Sequence, residues 1–491
     1  MSVGSLCIII VIQNKLKMLK TLSIISCIIL MTLSISAQDQ WDLEKCIVYA
    51  WENSLAINQL GYNYQSEKIN RKLAQQARYP DLRGSGGMQL NFGRSLDPTT
   101  DAFSTQSFFS NSYSLSSGVT LFNGFRIRNQ LKQSGLNLDA AEKDIDQIKM
   151  DIALDVASAY LSALLAQENM NTFKNSIELS QEQLSQIDKL IAAGARPLNE
   201  RLDILAQLSL NEQDFISAQN SLNISLLNLK QIMNYDVEKE LQLVIPDENI
   251  VTLFSDPDKL SFQEVYQVAV QNQPNIEAGK IRIMSSEMSV DIAKSALYPV
   301  VFAGGSLGTN YSNKGLRVDE FQQTVNNTPV TIDGQAAIIG FPSTNAITSK
   351  NPYFNQIDEN LAYGVGINFN LPIYNNYIGK SGVEQAKLNV LRAKNQNEQQ
   401  LQLLKTTVQQ SLAEAQTAKK ALEVSKTTVE AQEAAFANAE KRFELGAINT
   451  FDYIQAKNQY DSASIRAVIA KYDYIFKVKI LDFYLGKPLT L

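Results

Sequence analysis

Ala77-Arg78-Tyr79-Pro80 and Ala296-Leu297-Tyr298-Pro299 are one short motif met twice, 219 residues apart. Working backwards at that offset, Ala50 meets Ala269, Asn53 meets Asn272 and Ile57 meets Ile276. Further on, Leu121-Phe122-Asn123-Gly124 meets Ile373-Tyr374-Asn375-Asn376 at an offset of 252. Gly194-Ala195 meets Gly446-Ala447 at that same offset, Gln207 meets Gln459, and Leu229 meets Leu481. The halves are collinear apart from one insertion of 33 residues between Pro299 and Ile373. Self-similarity of this extent makes the chain two tandem copies of one unit.

Each copy reads helix, strand, strand, long helix, helix, which makes the protein mainly α with a small β part. In the first, a helical pattern over about Leu43 to Ala77 stops before Pro80, where the pre-proline restriction disfavours helix. Met88, Leu90 and Phe92 then alternate with Gln89 and Asn91, and Tyr113, Leu115, Val119 and Leu121 alternate with polar or small residues. That is strand periodicity, expected at about 82–93 and 112–122. The second copy predicts strands at about 300–312 and 361–373, with Tyr363, Val365, Ile367, Phe369 and Leu371 on one face. After each strand pair comes a proline-free stretch, from Phe125 to Ala193 and from about Gly379 to Leu445. Apolar or small residues recur there in steps of three and four, the coiled-coil period, with a stutter at Ile148-Ile152-Val156. Sixty-nine helical residues span about 104 Å at 1.5 Å each. Gly194 to Pro197 turns the chain back, and the return helix ends near Met233. It is too short to pair with the whole outgoing helix. Laid end to end with the pre-strand helix 54–78 it spans about 93 Å, nearly the full length.

The resulting organisation is a leader at 1–37, a first repeat at 38–260 and a second at 261–491. The first repeat holds a helical hairpin at about 125–233 and a connecting segment at 234–260; the second holds its hairpin at about 379–485. In the leader, Lys15, Lys17 and Lys20 precede an apolar run from Leu22 to Leu33 and then Ser34-Ile35-Ser36-Ala37. This reads as a secretory signal, expected to start from Met18, too short for a membrane-spanning helix. Apolar residues continue past Cys27, which argues against a lipidated cysteine there. Only Cys46 of the three cysteines survives processing, so no intrachain disulfide is expected; Cys46 reads as a small buried residue on a helix.

Composition excludes several classes of function. Of 491 residues, 44 are basic and 50 acidic, a formal charge of −6 that argues against a nucleic-acid partner. There is no histidine, the commonest general base and zinc ligand. Gly379-Lys380-Ser381 resembles the end of a phosphate-binding loop, but Tyr374 stands where that loop needs glycine. No Cys/His cluster suggests a metal. No enzyme activity and no cofactor are expected.

Four strands of about ten residues, each with an apolar and a polar side, have the length of outer-membrane barrel strands. An open four-stranded sheet cannot sit in lipid, because its edges carry unpaired backbone groups. Copies must therefore join. Two give 8 strands and three give 12, and only the larger ring leaves an open lumen, since barrels of about 8 strands are filled by side chains. The Ser/Asn/Thr-rich stretches 94–111 and 313–360 suit outer-face loops, and Tyr79, Phe122, Tyr298 and Tyr374 lie at strand ends, where aromatic girdles sit.

The layout, the Asn123-Gly124 turn after Leu121-Phe122, and Leu371-Pro372-Ile373-Tyr374-Asn375-Asn376 resemble the outer membrane efflux protein family, the TolC-like outer membrane factors. Thr120 stands where the first copy would carry the proline seen at Pro372. The resemblance covers essentially the mature chain. It implies a homotrimer in the cell outer membrane, with a 12-stranded β-barrel continued by a 12-helix α-barrel in the periplasm. It also implies docking to a periplasmic adaptor (membrane fusion protein) and an inner-membrane pump of the RND or ABC type. The role would be that of a passive duct for multidrug efflux or type I secretion.

In that family, coiled helices close the periplasmic end, and carboxylates just past the second helical tip form a constricting ring. Carried onto this chain, those positions are Asp452 and Gln455, of which only Asp452 is acidic; three carboxylates per trimer should bind cations weakly. Glu200 and Asp203 follow the first tip, with Arg196 and Arg201 nearby to hold a closed state through ion pairs. The tips themselves, Ala193-Gly194-Ala195 and Leu445-Gly446-Ala447, lack bulk and suit close approach of adaptor helices. The competing expectations are a stand-alone porin or adhesin-like surface protein, suggested by the 313–360 stretch, and a soluble coiled-coil scaffold.

Overall fold

The computed structural model describes residues 40–96, 101, 103–104, 107–245, 255–332, 334–487 and 489. The leader, with Met18 and Cys27, lies outside them, as does part of the 234–260 connecting segment. The first repeat runs β1 (Gln40–Trp41), α1 (Leu43–Asn53), α2 (Leu55–Gln76), β2 (Asp81–Asn91), β3 (Ser95–Leu96), β4 (Phe103–Ser104), β5 (Phe108–Asn123), α3 (Arg126–Ala192), α4 (Asn199–Met233) and β6 (Gln242–Leu243). The second runs α5 (Phe262–Asn272), α6 (Pro274–Lys294), β7 (Val300–Ser312), β8 (Leu316–Ile332), β9 (Gln335–Lys350), α7 (Tyr353–Glu359), β10 (Ala362–Asn370), α8 (Ile378–Glu444) and α9 (Thr450–Tyr484). The repeat is carried into lengths: α3 and α8 each have 67 residues, and α4 and α9 each have 35. Among the described residues no helix is long and apolar enough to cross a membrane.

Two readings need correction. The single helix expected over Leu43 to Ala77 is two, broken at Ser54, whose backbone is extended (φ −68°, ψ 123°). Its hydroxyl accepts from the Ile57 N–H at 3.3 Å and so caps the second piece. The corresponding residue of the second copy, Gln273, is extended too, and Pro274 opens the next helix where its missing N–H costs nothing. The 313–360 stretch, expected as loop, is instead a β-hairpin, β8 paired antiparallel with β9 from Leu316↔Lys350 to Ile332↔Gln335, followed by α7. This hairpin accounts for the 33-residue insertion.

The chain forms two compact bodies. The described residues of one fall within Met1–Gly61, Lys143–Glu277 and Glu398–Leu491; those of the other fall within Tyr62–Glu142 and Ala278–Asn397. In the first body, helical segments bury matched sets of side chains. Around α1, Cys46, Ala50, Val156, Ala163 and Leu229 form one core. At the repeat offsets, Val265, Ala269, Val408, Ala415 and Leu481 form the other around α5. Between residues 152 and 166 the buried surface of α3 is wider than a coiled-coil seam, taking in Ala153, Ala157, Tyr160, Leu161 and Leu164. The reason is that α1 and the parallel pair β1–β6 cover a second side of the helix there. Cys46 is fully buried in this core, and desolvation pushes its thiol up to about 12.

The second body is built on a four-stranded antiparallel sheet of order β10-β7-β5-β2. Register sorts its residues cleanly. On one face lie Tyr363, Val365, Ile367 and Phe369, opposite Leu307, Gly305, Ala303 and Val301, with Leu115, Val119 and Leu82 beyond. On the other lie Gly366, Asn368, Ser306, Gly304, Ser114, Ser116, Gly118 and Ser85. One face is suited to hydrocarbon and the other to water. β10 and β2 form the edges of the sheet, each with one row of backbone groups unpaired within it. Strand passes to helix through two consecutive left-handed residues in both copies: Gly124 and Phe125 (φ 62° and 64°), and Asn376 and Tyr377 (φ 52° and 69°). At Gly124 a Cβ would lie 2.8 Å from Tyr298 Cβ and 2.9 Å from Ser295 O, so the first copy needs glycine for space as well as for φ.

Candidate functional site

The two helical tips end by the same chemistry. Gly194 and Gly446 are left-handed, at φ 74° and 73°. The Gly194 N–H donates to Ile191 O and the Ala195 N–H to Leu190 O, both at 2.9 Å; Gly446 donates to Phe443 O and Ala447 to Arg442 O at 3.0 and 2.7 Å. This double closure satisfies the last carbonyls of each helix and turns the chain back. Ala193, Gly194, Ala195, Leu445, Gly446 and Ala447 are all exposed in the single chain.

Behind the glycines, the first tip holds the second. Arg196 Nη1 pairs with Glu200 Oε2 at 3.3 Å, and both side chains are largely buried, 12% and 13% exposed. Arg196 Nη2 donates to the carbonyl of Phe443 at 2.8 Å, and the guanidinium lies over the Phe443 ring at 4.7 Å. Thr450 Oγ1, at the start of α9, donates to Glu200 Oε2 at 2.7 Å. The last turn of α8 and the first of α9 are thus held by one arginine and one glutamate of the first hairpin.

The other expected residues go elsewhere. Arg201 Nε pairs with Asp188 Oδ1 at 2.7 Å, tying α4 to α3 within one hairpin. Asp203 is exposed and makes no ion pair among the described residues. Asp452 and Gln455 are exposed and three residues apart, on one side of α9. The Asp452 backbone N–H donates to the Asn449 cap at 2.8 Å, while its carboxylate makes no ion pair among the described residues. At the 252 offset Asp452 is the counterpart of Glu200, and Gln455 of Asp203. One acid of the matched pair is turned into the tip contact and the other is left free.

Beneath the tips, sequence reasoning missed a layer. Ile187, Ile204, Phe436, Phe443 and Tyr453 form a small buried cluster. Burial pushes the Tyr453 phenol up, with Glu440, Asp461 and Glu444 adding to it, and the hydroxyl accepts from Gln183. Lys457, fully buried, pairs with Asp461 at 2.6 Å. Asn211 donates to Ser180 Oγ at 2.8 Å and to Ser176 O at 3.2 Å. The available signal was spacing: Tyr453, Lys457 and Asp461 recur in fours on α9, away from Asp452. Among the described residues no group of acidic, Cys or His side chains could hold a metal.

The sequence pattern of the family described as "Outer membrane efflux protein" matches residues 47–235 and 265–487, most of the chain. Outer membrane protein TolC of Vibrio cholerae serotype O1 is 22% identical over 369 residues, 72% of this chain and 74% of TolC. Among solved structures, CusC superposes with a TM-score of 0.72 over 92% of this chain and 93% of its own, at 15% identity. VceC of Vibrio cholerae does so with 0.69 over 91% and 96%, at 14% identity. These likenesses extend through both repeats. They leave the soluble-scaffold and stand-alone porin readings without support. The chain belongs to the outer membrane efflux protein family: it is an outer-membrane efflux channel, with its helical part in the periplasm.

Proposed function

We propose that three copies close one barrel and form the passive outer duct of a tripartite export system, joined to a periplasmic adaptor and an inner-membrane pump of the RND or ABC type. The observation that carries this is the sheet: one apolar face, one Ser/Gly/Asn face, and two edges, β2 and β10, left for neighbours. In lipid those edges must be paired, and a neighbour's β2 against β10 does so without a new strand type. The exposed small-residue tips are the adaptor contacts. The gate is the tip assembly, with Arg196, Glu200 and Thr450 holding it shut, Asp452 and Gln455 facing the narrowing, and Arg201 and Asp203 bracing its rim. Energy comes from the pump, and the channel carries out no bond chemistry.

Outer-membrane fractions run unheated and heated on a denaturing gel test the trimer: a band at three times the chain mass that collapses on heating is expected, and a monomer in both lanes overturns it. Photo-crosslinkers at Ala195 and Ala447 test the docking. Adducts with a periplasmic adaptor are expected, and adducts formed only at sites on the sheet would count against it.

A further inference from the structure

On the polar face of the sheet Phe302 is a large apolar side chain, as is Phe108 farther along that face, opposite Asn91. Around Phe302 on that face lie Thr120, Asn368, Gly118 and Gly304, with Val300 two residues before it and the ion pair of Arg83 Nε with Asp81 Oδ2 at 2.6 Å beyond. The ring lies down on the sheet. A Cβ at Gly118 would come within 2.2 Å of its Cζ, and one at Gly304 within 2.9 Å of its Cε1. Two glycines therefore make the seat, and the ring, 39% exposed, keeps its other side open. Phe302, Arg83, Asp81 and Asn368 line one concavity of about 740 Å³. The charges in it are not equally available. Asp81 is engaged twice, by Arg83 and by the Gly118 N–H at 3.0 Å. Arg83 uses only its Nε edge, and its side chain is 79% exposed.

We propose that this concavity is a lumenal resting site for planar aromatic anions, the aromatic body stacking on Phe302 and the anionic group meeting the open edge of the Arg83 guanidinium. Stacking on a ring and a single guanidinium contact are each weak, which suits a duct whose sites must release what they hold. Covering two glycines needs only apolar bulk, which leucine supplies; binding a planar aromatic needs the ring. The inference rests on the reading of the polar face as the lumen, and deepens the proposed function by naming a cargo chemistry.

The test is block of single-channel current in planar bilayers by naphthalene-2-sulfonate, with cyclohexanesulfonate and (naphthalen-2-yl)trimethylammonium as comparison probes. The expected result is block by naphthalene-2-sulfonate in the millimolar range, with the blocking constant raised about five-fold in Phe302→Leu and also raised in Arg83→Gln. Equal block by the cyclohexyl probe, stronger block by the ammonium probe, or an unchanged constant in Phe302→Leu overturns the site. Phe302→Leu decides alone if Arg83→Gln fails to assemble. A wild-type protein that gives no channels at all instead sinks the barrel reading on which the site depends.

Discussion

Arg196 donates from Nη2 to the carbonyl oxygen of Phe443 at 2.8 Å, so the loop of one helical hairpin is fixed to the last turn of the long helix in the other. The bond satisfies a helix C-terminal carbonyl with a cation, the favourable partner for that end of a helix. It is reinforced by the ring beneath the guanidinium and by Glu200, which shares itself between Arg196 and Thr450. Removing the arginine deletes a charge-assisted bond of about 1.5–3 kcal/mol and leaves the largely buried Glu200 without its cation. Arg196→Ala is expected to raise the open fraction of the channel by about ten-fold or more, read as mean conductance in planar bilayers. Arg196→Lys should lie between, since it keeps charge and loses the fork and the stacking. Wild-type conductance in both variants would show that the tips do not gate.

Asp452 and Glu200 occupy matched places in the two repeats but differ in what they can do for an ion. Glu200 is taken by Arg196 and Thr450, whereas the Asp452 carboxylate is exposed and unpaired among the described residues. Three Asp452 side chains at the narrowing of a trimer would form the cation site, weak because Gln455 adds no charge. Asp452→Asn should therefore relieve block by a divalent cation several-fold, and Gln455→Glu should tighten it. Glu200→Gln should loosen the gate with little change in the blocking constant. Block that follows Glu200 and ignores Asp452 would reverse the assignment.

The repeat, the strands and the long helices were legible because each rests on periodicity that survives in one dimension. The break at Ser54 was not. Asn53-Ser54-Leu55 has neither glycine nor proline, and the cap only forms once Ile57 turns back onto the hydroxyl. The second copy held the clue, because Pro274 maps onto Leu55 at the 219 offset. The β8–β9 hairpin was hidden for a different reason. Its faces carry mixed residues, with Phe321, Val325 and Ile338 on one side and Phe341 and Ile339 on the other, so neither alternates as a half-buried strand does. The signal that remained was Asp333-Gly334 between Ile332 and Gln335, a hairpin dipeptide. At the helical tips the charged residues were legible in the sequence, but their pairing was not. Thr450 and Phe443 were invisible as partners because they are 250 and 247 residues from Glu200 and Arg196.

Cys46 should be chemically silent in the folded protein. Desolvation, with Asp42 adding to it, pushes its thiol up to about 12, and it packs among Ala50, Val156 and Leu229 without exposure. The folded state therefore holds the protonated form through a range where an unfolded thiol, with its pKa of about 8.5, ionises. This contribution to stability is complete below about pH 8.5 and declines as pH rises towards 12. Alkylation by iodoacetamide at pH 8 should be at least a hundred-fold slower in the native protein than in urea-unfolded chain, because the thiolate is the nucleophile. Comparable rates in the two states would mean that the α1 core opens readily.

Tyr160 marks a difference in kind between the two cores, and this gives the strongest stability prediction. Its hydroxyl lies 2.9 Å from Val244 O and 3.0 Å from Trp41 O, one donor shared between two carbonyls at the end of the short β1–β6 pair. Its counterpart at the 252 offset is Leu412, in a core that holds no such strand pair among the described residues. Removing the hydroxyl takes the donor from the Val244 carbonyl, while Trp41 O keeps the Val244 N–H at 3.0 Å; the loss costs about 1–3 kcal/mol, whereas the leucine site asks only for apolar volume. Tyr160→Phe is therefore expected to lower the denaturation midpoint measurably while Leu412→Met, close in volume, costs under about 1.5 kcal/mol. The reciprocal change is the sharper test. Leu412→Tyr would bury a hydroxyl with no carbonyl pair to receive it, and should destabilise more than Tyr160→Phe. Urea denaturation followed by circular dichroism ranks the three, and a Tyr160→Phe protein as stable as wild type would show that the strand pair does not depend on this bond.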